Sequence, residues 1–406
     1  MRFSKRTNWN TEETDLARAQ RERLRAGLPV RDLTASNPTR CGFDYDPNLL
    51  VALTEHRALE YDPHPLGLLR AREAVCGYYA DHGASVSPEQ VVMTTSTSEA
   101  YSYLFRLLCD PGSEILMAQP GYPLFDFLAT LDDVGLKAAP LVYDHGWQIE
   151  PEGFRRAITP ATRAVVLVHP NNPTGHFTKP WEARELAALC GEFGLSLIVD
   201  EVFLDYVFDL GGQTETFASG LGESGLGESG LGGPGPPEGV PVFVVSGLSK
   251  IAGLPQMKAA WIVATGSERK AAMDRLEVIA DTFLSMNAPV QWALPKWLAG
   301  RGGIQGQIRA RLKENLAELD AQLGQEERVR RLDVEGGWYA VLRIPALQAD
   351  LLTARELLDR GVWVQPGHFF GMADAGWLVV SLLGPAAEFS EGIARLLDYF
   401  SAQTRR

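Results

Sequence analysis

The sequence predicts an α/β protein with a mainly parallel central sheet sandwiched by helices, together with a smaller α+β domain. Short β-branched or aliphatic segments are each followed by a turn and then a helical pattern, which is typical of parallel sheets covered by helices. The 406 residues also exceed one ordinary hydrophobic core, so a large and a small domain are expected.

The large domain is expected at residues 45–300, because most segments with strand character lie there. The predicted strands of this domain are Val91–Thr94, Glu114–Ala118, Ala138–Tyr143, Ala164–His169, Ser196–Asp200, Val242–Val245 and Trp261–Ala264. A parallel sheet built from them would present its ligand site at the carboxyl ends of the strands.

The small domain is expected at residues 301–406, joined by part of an N-terminal arm, residues 1–44. Leucines at helical spacing between Arg309 and Leu323 predict a helix that leads out of the large domain. Strands are predicted at residues 336–342, 362–366 and 377–381, and a closing helix at Phe389–Phe400.

A Gly/Pro-rich insertion, residues 211–239, interrupts the large domain. Its segment Ser219–Gly233 repeats the pattern Ser-Gly-Leu-Gly-Glu. Such a composition buries too little apolar surface to offset the entropy of ordering it, which predicts a flexible surface segment. A lid over an active site is the functional alternative, since long loops often carry function.

Charge and composition exclude several classes of partner. Lysine and arginine number 38 against 51 acidic residues, a net charge of −13 that disfavours nucleic acid and anionic membranes. The sequence contains no long apolar run, and its basic start leads into a charged helical stretch, so we expect a cytoplasmic protein. The cysteines, Cys41, Cys76, Cys109 and Cys190, form no C-x-x-C pair and are expected to be reduced packing residues without a metal.

Four polar segments follow predicted strands, and together they indicate a cofactor site. Lys250 comes after Val242–Val245, and Asp200 ends an apolar strand where a carboxylate needs a positive partner such as a pyridinium nitrogen. Asn172 lies in a Pro/Gly-rich turn as a neutral donor, and Ser96–Ser98 open a helix whose free N–H groups can bind an anion. Each residue alone has a simpler interpretation, as solvated surface, turn, loop entry or helix cap. Their joint occurrence at strand ends favours the functional one.

The sequence resembles the class I and II aminotransferase family of fold type I pyridoxal phosphate enzymes. The similarity extends from about Asp32 to the C-terminal helix, and its specific marks are Asn172-Pro-Thr-Gly175 and Ser249-Lys250. The resemblance implies transfer of an amino group from an amino acid or amine to a keto acid. It also implies that Lys250 holds pyridoxal phosphate as a Schiff base and then moves the substrate proton.

The same resemblance implies roles for the other site residues. Asp200 would pair with the pyridine nitrogen, Asn172 would donate to the phenolic oxygen, and Tyr122 would stack on the ring. Ser96, Thr97 and Ser98 would bind the phosphate. Tyr61 would reach the phosphate of a neighbouring subunit, which implies a homodimer with shared active sites.

Three positions near the cofactor depart from the family pattern. Lys258 stands where an arginine usually grips the phosphate, and a lysine supplies only a point charge there. Gly247 replaces a phosphate-contacting serine, for which Ser246 or Ser249 would compensate. Phe203 replaces a tyrosine whose hydroxyl stabilises the phenolate, which predicts a higher Schiff-base pKa than is usual in the family.

A fourth departure concerns the substrate. Val379 occupies the position of the arginine that clamps the substrate α-carboxylate in the family, and valine supplies neither charge nor orientation. Either another basic residue takes this role, with Arg40 as the candidate, or the amino donor lacks a free α-carboxylate.

Two other functions compete with aminotransfer. A lyase that expels a β-substituent uses the same cofactor chemistry, and the missing arginine favours it modestly. A non-catalytic binding or regulatory protein could retain the fold, although intact Lys250 and Asp200 argue against it.

Overall fold

The computed structural model describes residues 2–208, 215–220, 239–324 and 328–403. A sheet of eight strands forms the centre, in the spatial order β2-β9-β8-β7-β6-β3-β4-β5. Its strands are β2 (Val91–Thr94), β3 (Glu114–Gln119), β4 (Gly135–Tyr143), β5 (Trp147–Ile149), β6 (Thr162–Val168), β7 (Ser196–Asp200), β8 (Pro241–Gly247) and β9 (Ala260–Gly266).

The middle of this sheet is parallel, as the sequence predicts. Strands β4, β3, β6, β7 and β8 pair in parallel, whereas β9 and β5 run antiparallel to their neighbours. All residues of β7 are buried, because helices cover both faces. The register places Val168, Asp200 and Val245 side by side, so the ends of β6, β7 and β8 lie together.

Twelve α-helices accompany the strands in the part of the chain that the structure describes. They are α1 (Asp15–Arg25), α2 (Leu69–Ala80), α3 (Thr97–Leu108), α4 (Leu124–Leu131), α5 (Pro151–Ala157), α6 (Pro180–Phe193), α7 (Leu248–Ile251), α8 (Arg269–Phe283), α9 (Ala288–Ala299), α10 (Gly302–Leu323), α11 (Asp350–Asp359) and α12 (Ala386–Gln403). None of the helices within these ranges is long and apolar enough to cross a membrane.

A second sheet lies in the C-terminal part, with the order β10-β11-β14-β13. Its strands are β10 (Arg330–Arg331), β11 (Tyr339–Arg343), β13 (Gln365–Pro366) and β14 (Trp377–Ser381). A separate parallel pair joins β1 (Arg31–Asp32) to β12 (Val362–Trp363), which ties the N-terminal arm to this region. Residues 362–366, expected as one strand, are therefore divided between two sheets.

The structure differs from the sequence predictions in three further details. Strand β5 has no counterpart among the predicted strands, and the helix expected between Arg309 and Leu323 begins earlier, at Gly302. Most of the insertion 211–239 lies outside the described residues. Of its described part, Thr216, Phe217 and Ala218 are buried. The Oγ1 of Thr216 and the backbone N–H of Phe217 both donate to the Glu201 carboxylate, each at 2.6 Å.

Candidate active site

Lys250, Asp200 and Asn172 follow three neighbouring strands of the large sheet. Asp200 is the last residue of β7, Lys250 lies in α7 directly after β8, and Asn172 lies in the turn after β6. Because the ends of these strands are adjacent, the three side chains converge on one edge of the sheet. The sequence predicted this convergence from the strand-end positions alone.

The Asp200 carboxyl group is buried and hydrogen bonded on both oxygens. Its Oδ1 accepts the backbone N–H of Val202 at 3.0 Å, and its Oδ2 accepts the hydroxyl of Tyr101 at 3.0 Å. Burial raises the pKa of Asp200 to about 6, against the lowering effect of these two bonds and of Lys250. A cationic group against this carboxylate would favour its ionised form.

The Lys250 ammonium group lies against aromatic rings. Its Nζ is 4.6 Å from the centre of the Trp338 ring and 5.7 Å from that of Phe203. Burial lowers the pKa of Lys250 to about 8, although Asp200 and Cys41 act in the opposite direction. About a tenth of this lysine is therefore a neutral, nucleophilic amine at pH 7, far more than for a lysine with the ordinary pKa of 10.5.

Three side chains from separate elements hold the backbone of α7. The hydroxyl of Tyr206 donates to the carbonyl of Lys250 at 2.6 Å, and the hydroxyl of Tyr45 donates to that of Gly253 at 2.7 Å. Gln305 donates to the carbonyl of Ile251 at 2.8 Å. The carbonyl of Lys250 also accepts the N–H of Gly253 at 3.2 Å, so the Tyr206 bond is its second. The other two bonds give partners to the carbonyls of Ile251 and Gly253, at and just beyond the end of a four-residue helix.

Several buried polar atoms around this edge have no hydrogen-bond partner among the described residues. They include Oδ1 of Asn172 and Oγ of Ser246. The Asn172 amide also carries an N–H₂ group, which is the part of this side chain that can donate to a ligand oxygen. A Cβ on Gly247 would come within 2.8 Å of the Ala260 Cβ, so the local backbone leaves no room for the serine that the family usually has there.

The predicted anion site, Ser96–Ser98, lies at the start of α3. The hydroxyl of Ser96 accepts the N–H of Glu99 at 3.1 Å and so caps the helix, which confirms the simpler interpretation of this residue without excluding the other. Thr97 and Ser98 form the first helical turn, and both are half-buried. Lys258 is exposed, next to Ala259, whose carbonyl accepts the N–H of Leu248 before Lys250.

The turn that carries Tyr122 contacts the smaller sheet region. The N–H of Gly121 donates to the carbonyl of Phe370 at 3.0 Å. Gly371 has a φ of +80°, and a Cβ there would lie 1.6 Å from Nε2 of Gln119, so only glycine fits. Tyr122 is 43% exposed, and burial and the Asp200 charge raise its pKa, which places its ring near the site.

The other predicted site residues lie at the surface. Tyr61 is 84% exposed and borders a cavity of about 300 Å³ that Tyr103, Ser285 and Asn287 also line. Arg40 ends a short 3-10 helix, Pro38–Arg40, and is exposed. The next residue, Cys41, is buried and close enough to affect the pKa of Lys250.

Val379 is fully buried in β14, opposite Val341 of β11. Two residues along, Tyr339 pairs with Ser381 on the same face of the sheet. Burial raises the pKa of Tyr339 to about 12, and Ser36 is the hydrogen-bonding neighbour of its hydroxyl. The residues paired with or next along this face from Val379, namely Val341, Tyr339 and Ser381, are uncharged.

Sequence reasoning did not identify Tyr101, Tyr206 or Trp338 as site residues. Tyr101 lies four positions after Thr97, on the same face of α3, and this spacing was a usable signal. Trp338 lies within a segment predicted only as a strand. The role of Tyr206 depends on a carbonyl 44 residues further along the chain, which no local pattern reveals.

The residues present fit pyridoxal phosphate. A lysine with a lowered pKa matches its aldehyde, and a buried carboxyl group with a raised pKa matches its ring nitrogen. The amide N–H₂ of Asn172, at the neighbouring strand end, is a donor that matches its phenolic oxygen. The free N–H groups at the start of α3 match its phosphate.

Comparison with known proteins leads to the same family. The model of a family described as aminotransferase class I and II matches residues 47–396. Valine–pyruvate aminotransferase of Mycobacterium tuberculosis is 26% identical over 399 residues, 96% of this chain and 95% of that protein. Glutamate–pyruvate aminotransferase AlaA of Escherichia coli is 26% identical over 366 residues, 84% of this chain and 85% of that protein.

A solved structure confirms the fold. Alanine aminotransferase from Pyrococcus furiosus superposes with a TM-score of 0.86 at 23% sequence identity, covering 99% of this chain and 100% of that one. Both the fold class and the family that the motifs predicted are thereby confirmed. The chain therefore belongs to the class I and II aminotransferase family, and its activity at the level of that family is amino-group transfer.

Proposed function

We propose that this aminotransferase works with pyridoxal phosphate attached to Lys250 and moves an amino group from an amino acid or amine to a keto acid. The observation that carries the proposal is that Lys250, with its lowered pKa, and the buried carboxyl group of Asp200 lie at the ends of adjacent strands. When bound, the cofactor supplies an aldehyde and an electron-withdrawing ring.

The residues of the chain have separate tasks in this reaction. Lys250 would hold the aldehyde of the cofactor through its neutral amine and, once freed, would take the proton from the donor Cα. Asp200 would stabilise positive charge at the ring nitrogen, and the hydroxyl of Tyr101 bonds this carboxylate. Asn172 would donate to the phenolic oxygen. Tyr122 would cover one ring face.

We assign the phosphate to the start of α3, at Ser96, Thr97 and Ser98, with Lys258 as the added positive charge. The exposure of Tyr61 supports a homodimer, because a tyrosine 84% exposed in one subunit is available to the site of another. Arg40 stays a proposed ligand for a substrate carboxylate at the rim of the site. We also propose a cytoplasmic location, on the grounds of composition.

Lys250→Ala tests the proposal. The wild-type protein should acquire visible absorbance with pyridoxal phosphate, and borohydride should fix the cofactor on the peptide that contains Lys250. The variant should lose both signals and transfer activity. Lys270→Ala is the matched control, because Lys270 is exposed and pairs only with Asp274 in α8.

Product analysis separates aminotransfer from elimination. Incubation with donor and keto acid should yield a new amino acid in equal amount to the keto or aldehyde product. Ammonia released without any acceptor would instead support the lyase, and unchanged activity in Lys250→Ala would support a function that does not use this lysine.

A further inference from the structure

Gln365 lies directly across the sheet from Val379. The register pairs Gln365 of β13 with Val379 of β14, and Val379 in turn with Val341 of β11. Directly opposed residues of antiparallel strands share a face, with their Cβ atoms about 4.5–5.5 Å apart. An amide side chain therefore stands beside the valine that replaces the family's arginine.

This face of the sheet is the one that borders the active site. Tyr339 and Ser381 lie on it, two residues from Val341 and Val379. The Tyr339 ring lies 6.4 Å from that of Phe203, which in turn lies 5.7 Å from Nζ of Lys250. The Ser381 hydroxyl donates to the carbonyl of Ala35, next to Ser36.

The Gln365 amide is incompletely bonded. Its side chain is half-buried, and its Oε1 is buried without a hydrogen-bond partner within the described ranges. A buried carbonyl oxygen without a partner destabilises the protein unless a ligand supplies a donor.

The nearest cation along the same face is already engaged. Arg343, two residues beyond Val341, has its guanidinium group 4.2 Å from the centre of the Trp377 ring. It also donates to the carbonyls of Ala375 and Gly376, at 3.0 and 3.3 Å. Moving this arginine toward the site would break these three contacts.

We propose that the amide of Gln365 binds the group that the amino donor carries on its reacting carbon, and that it favours an uncharged hydrogen-bond donor there, such as a carboxamide or a hydroxymethyl group, over a carboxylate. The inference rests on the proposed function and names its donor class. A carboxylate has no proton for the unpaired Oε1 and meets no cation at Val379, so a donor or a keto acid acceptor that carries one would bind less well at Gln365 and would depend on Arg40 at the rim of the site. A carboxamide supplies an N–H to Oε1 and accepts from Nε2.

The test compares each amino acid with its own amide. L-alanine with L-alaninamide and L-valine with L-valinamide serve as pairs, and kcat/KM is measured for the donor half-reaction at one pH. We expect the wild-type protein to favour the amide. Gln365→Leu should raise KM for the amide about 3- to 10-fold, the effect of one or two lost hydrogen bonds, with kcat little changed.

Gln365→Arg tests the same inference in the opposite direction. It restores a cation beside Val379, so the ratio of amide to acid kcat/KM should fall at least about 10-fold, as expected for a charge-assisted bond. Comparing ratios between variants cancels intrinsic differences between the two donors. Gln348→Leu is the control, because that amide bonds Thr353 and Tyr399 in the same part of the chain.

The outcomes separate the two proposals. Cofactor absorbance and borohydride labelling of Lys250 are measured first in every variant. If the wild-type protein takes no label there, the proposed function fails and this inference with it. If labelling is intact but the wild-type protein prefers the acids, or the ratio is the same in wild-type, Gln365→Leu and Gln365→Arg proteins, only the inference on Gln365 is overturned.

Discussion

The phenolic hydroxyl of Tyr101 donates to Oδ2 of Asp200 at 3.0 Å, and both groups are buried. The bond connects α3, whose start is the proposed anion site, to the carboxyl group that we assign to the cofactor nitrogen. It lowers the pKa of Asp200 and thereby favours the ionised carboxylate.

Tyr101→Phe should therefore weaken cofactor binding. Loss of one hydrogen bond to a charged group, about 1.5–3 kcal/mol, predicts a rise in Kd of about 10-fold or more. Absorbance titration with pyridoxal phosphate measures it. Tyr103→Phe is the control on the same helix, because its hydroxyl has only a 3.4 Å contact with Ser285. Equal Kd values for the two variants would contradict the assignment.

The raised pKa of Asp200 predicts how the cofactor-free protein responds to pH. Burial raises this pKa from 3.8 to about 6, so the folded state keeps the proton to a higher pH than the unfolded chain does. The contribution of Asp200 to the free energy of unfolding is fully present below pH 3.8 and is lost as the pH rises through about 6. A shift of about two pKa units corresponds to a loss of up to about 3 kcal/mol.

Asp200→Asn should remove this dependence. Between about pH 4 and pH 7, the free energy of unfolding of the variant should rise relative to the wild-type protein by up to about 3 kcal/mol. Urea denaturation of both cofactor-free proteins across this range is the measurement. Parallel stability curves would show that Asp200 titrates normally.

The lowered pKa of Lys250 predicts the pH dependence of cofactor attachment. Only the neutral amine attacks the aldehyde, and burial lowers the pKa of this lysine to about 8. The rate at which cofactor-free protein takes up pyridoxal phosphate should rise with pH and level off above a midpoint near 8. Stopped-flow absorbance follows it. A midpoint near the ordinary lysine value of 10.5 would contradict the prediction.

Tyr206→Phe should disturb the position of Lys250. The variant removes the 2.6 Å bond to the carbonyl of Lys250, which still accepts the N–H of Gly253 at 3.2 Å. We therefore expect a loss of about 0.5–1.5 kcal/mol in stability and a fall in kcat that exceeds any rise in KM. Tyr45→Phe is the matched control, because its 2.7 Å bond reaches Gly253, three residues beyond. It should lose stability while kcat changes little. Equal kcat in both variants would remove the positioning role.

The sequence predicted the parallel sheet and the convergence of Lys250, Asp200 and Asn172, because strand ends and turn residues are local signals. Strand β5 escaped prediction because three residues give too short an alternation to recognise. The buried start of the insertion, at Thr216 and Phe217, escaped because its partner is Glu201, a contact that tertiary packing creates.

The environment of the site was less predictable than its members. The departure at Val379 was visible in the sequence, but its neighbour Gln365 depends on how β13 and β14 pair. Likewise, no periodicity places Trp338 against Lys250, since the two are 88 residues apart and meet only in the folded chain. Motifs indicate which residues react, whereas the contacts that shift the pKa values of these residues or hold them in position can be read only from the structure.

The contacts around Gly371 link the turn before Tyr122 to the C-terminal region. The side chain of Gln119 fills the space beside Gly371, and the N–H of Gly121 donates to the carbonyl of Phe370. The C-terminal region therefore contacts the turn before Tyr122 at two points. A movement of the C-terminal region away from this turn would break the bond from Gly121 to Phe370. The proposed stacking of Tyr122 on the cofactor would therefore depend on where the C-terminal region lies.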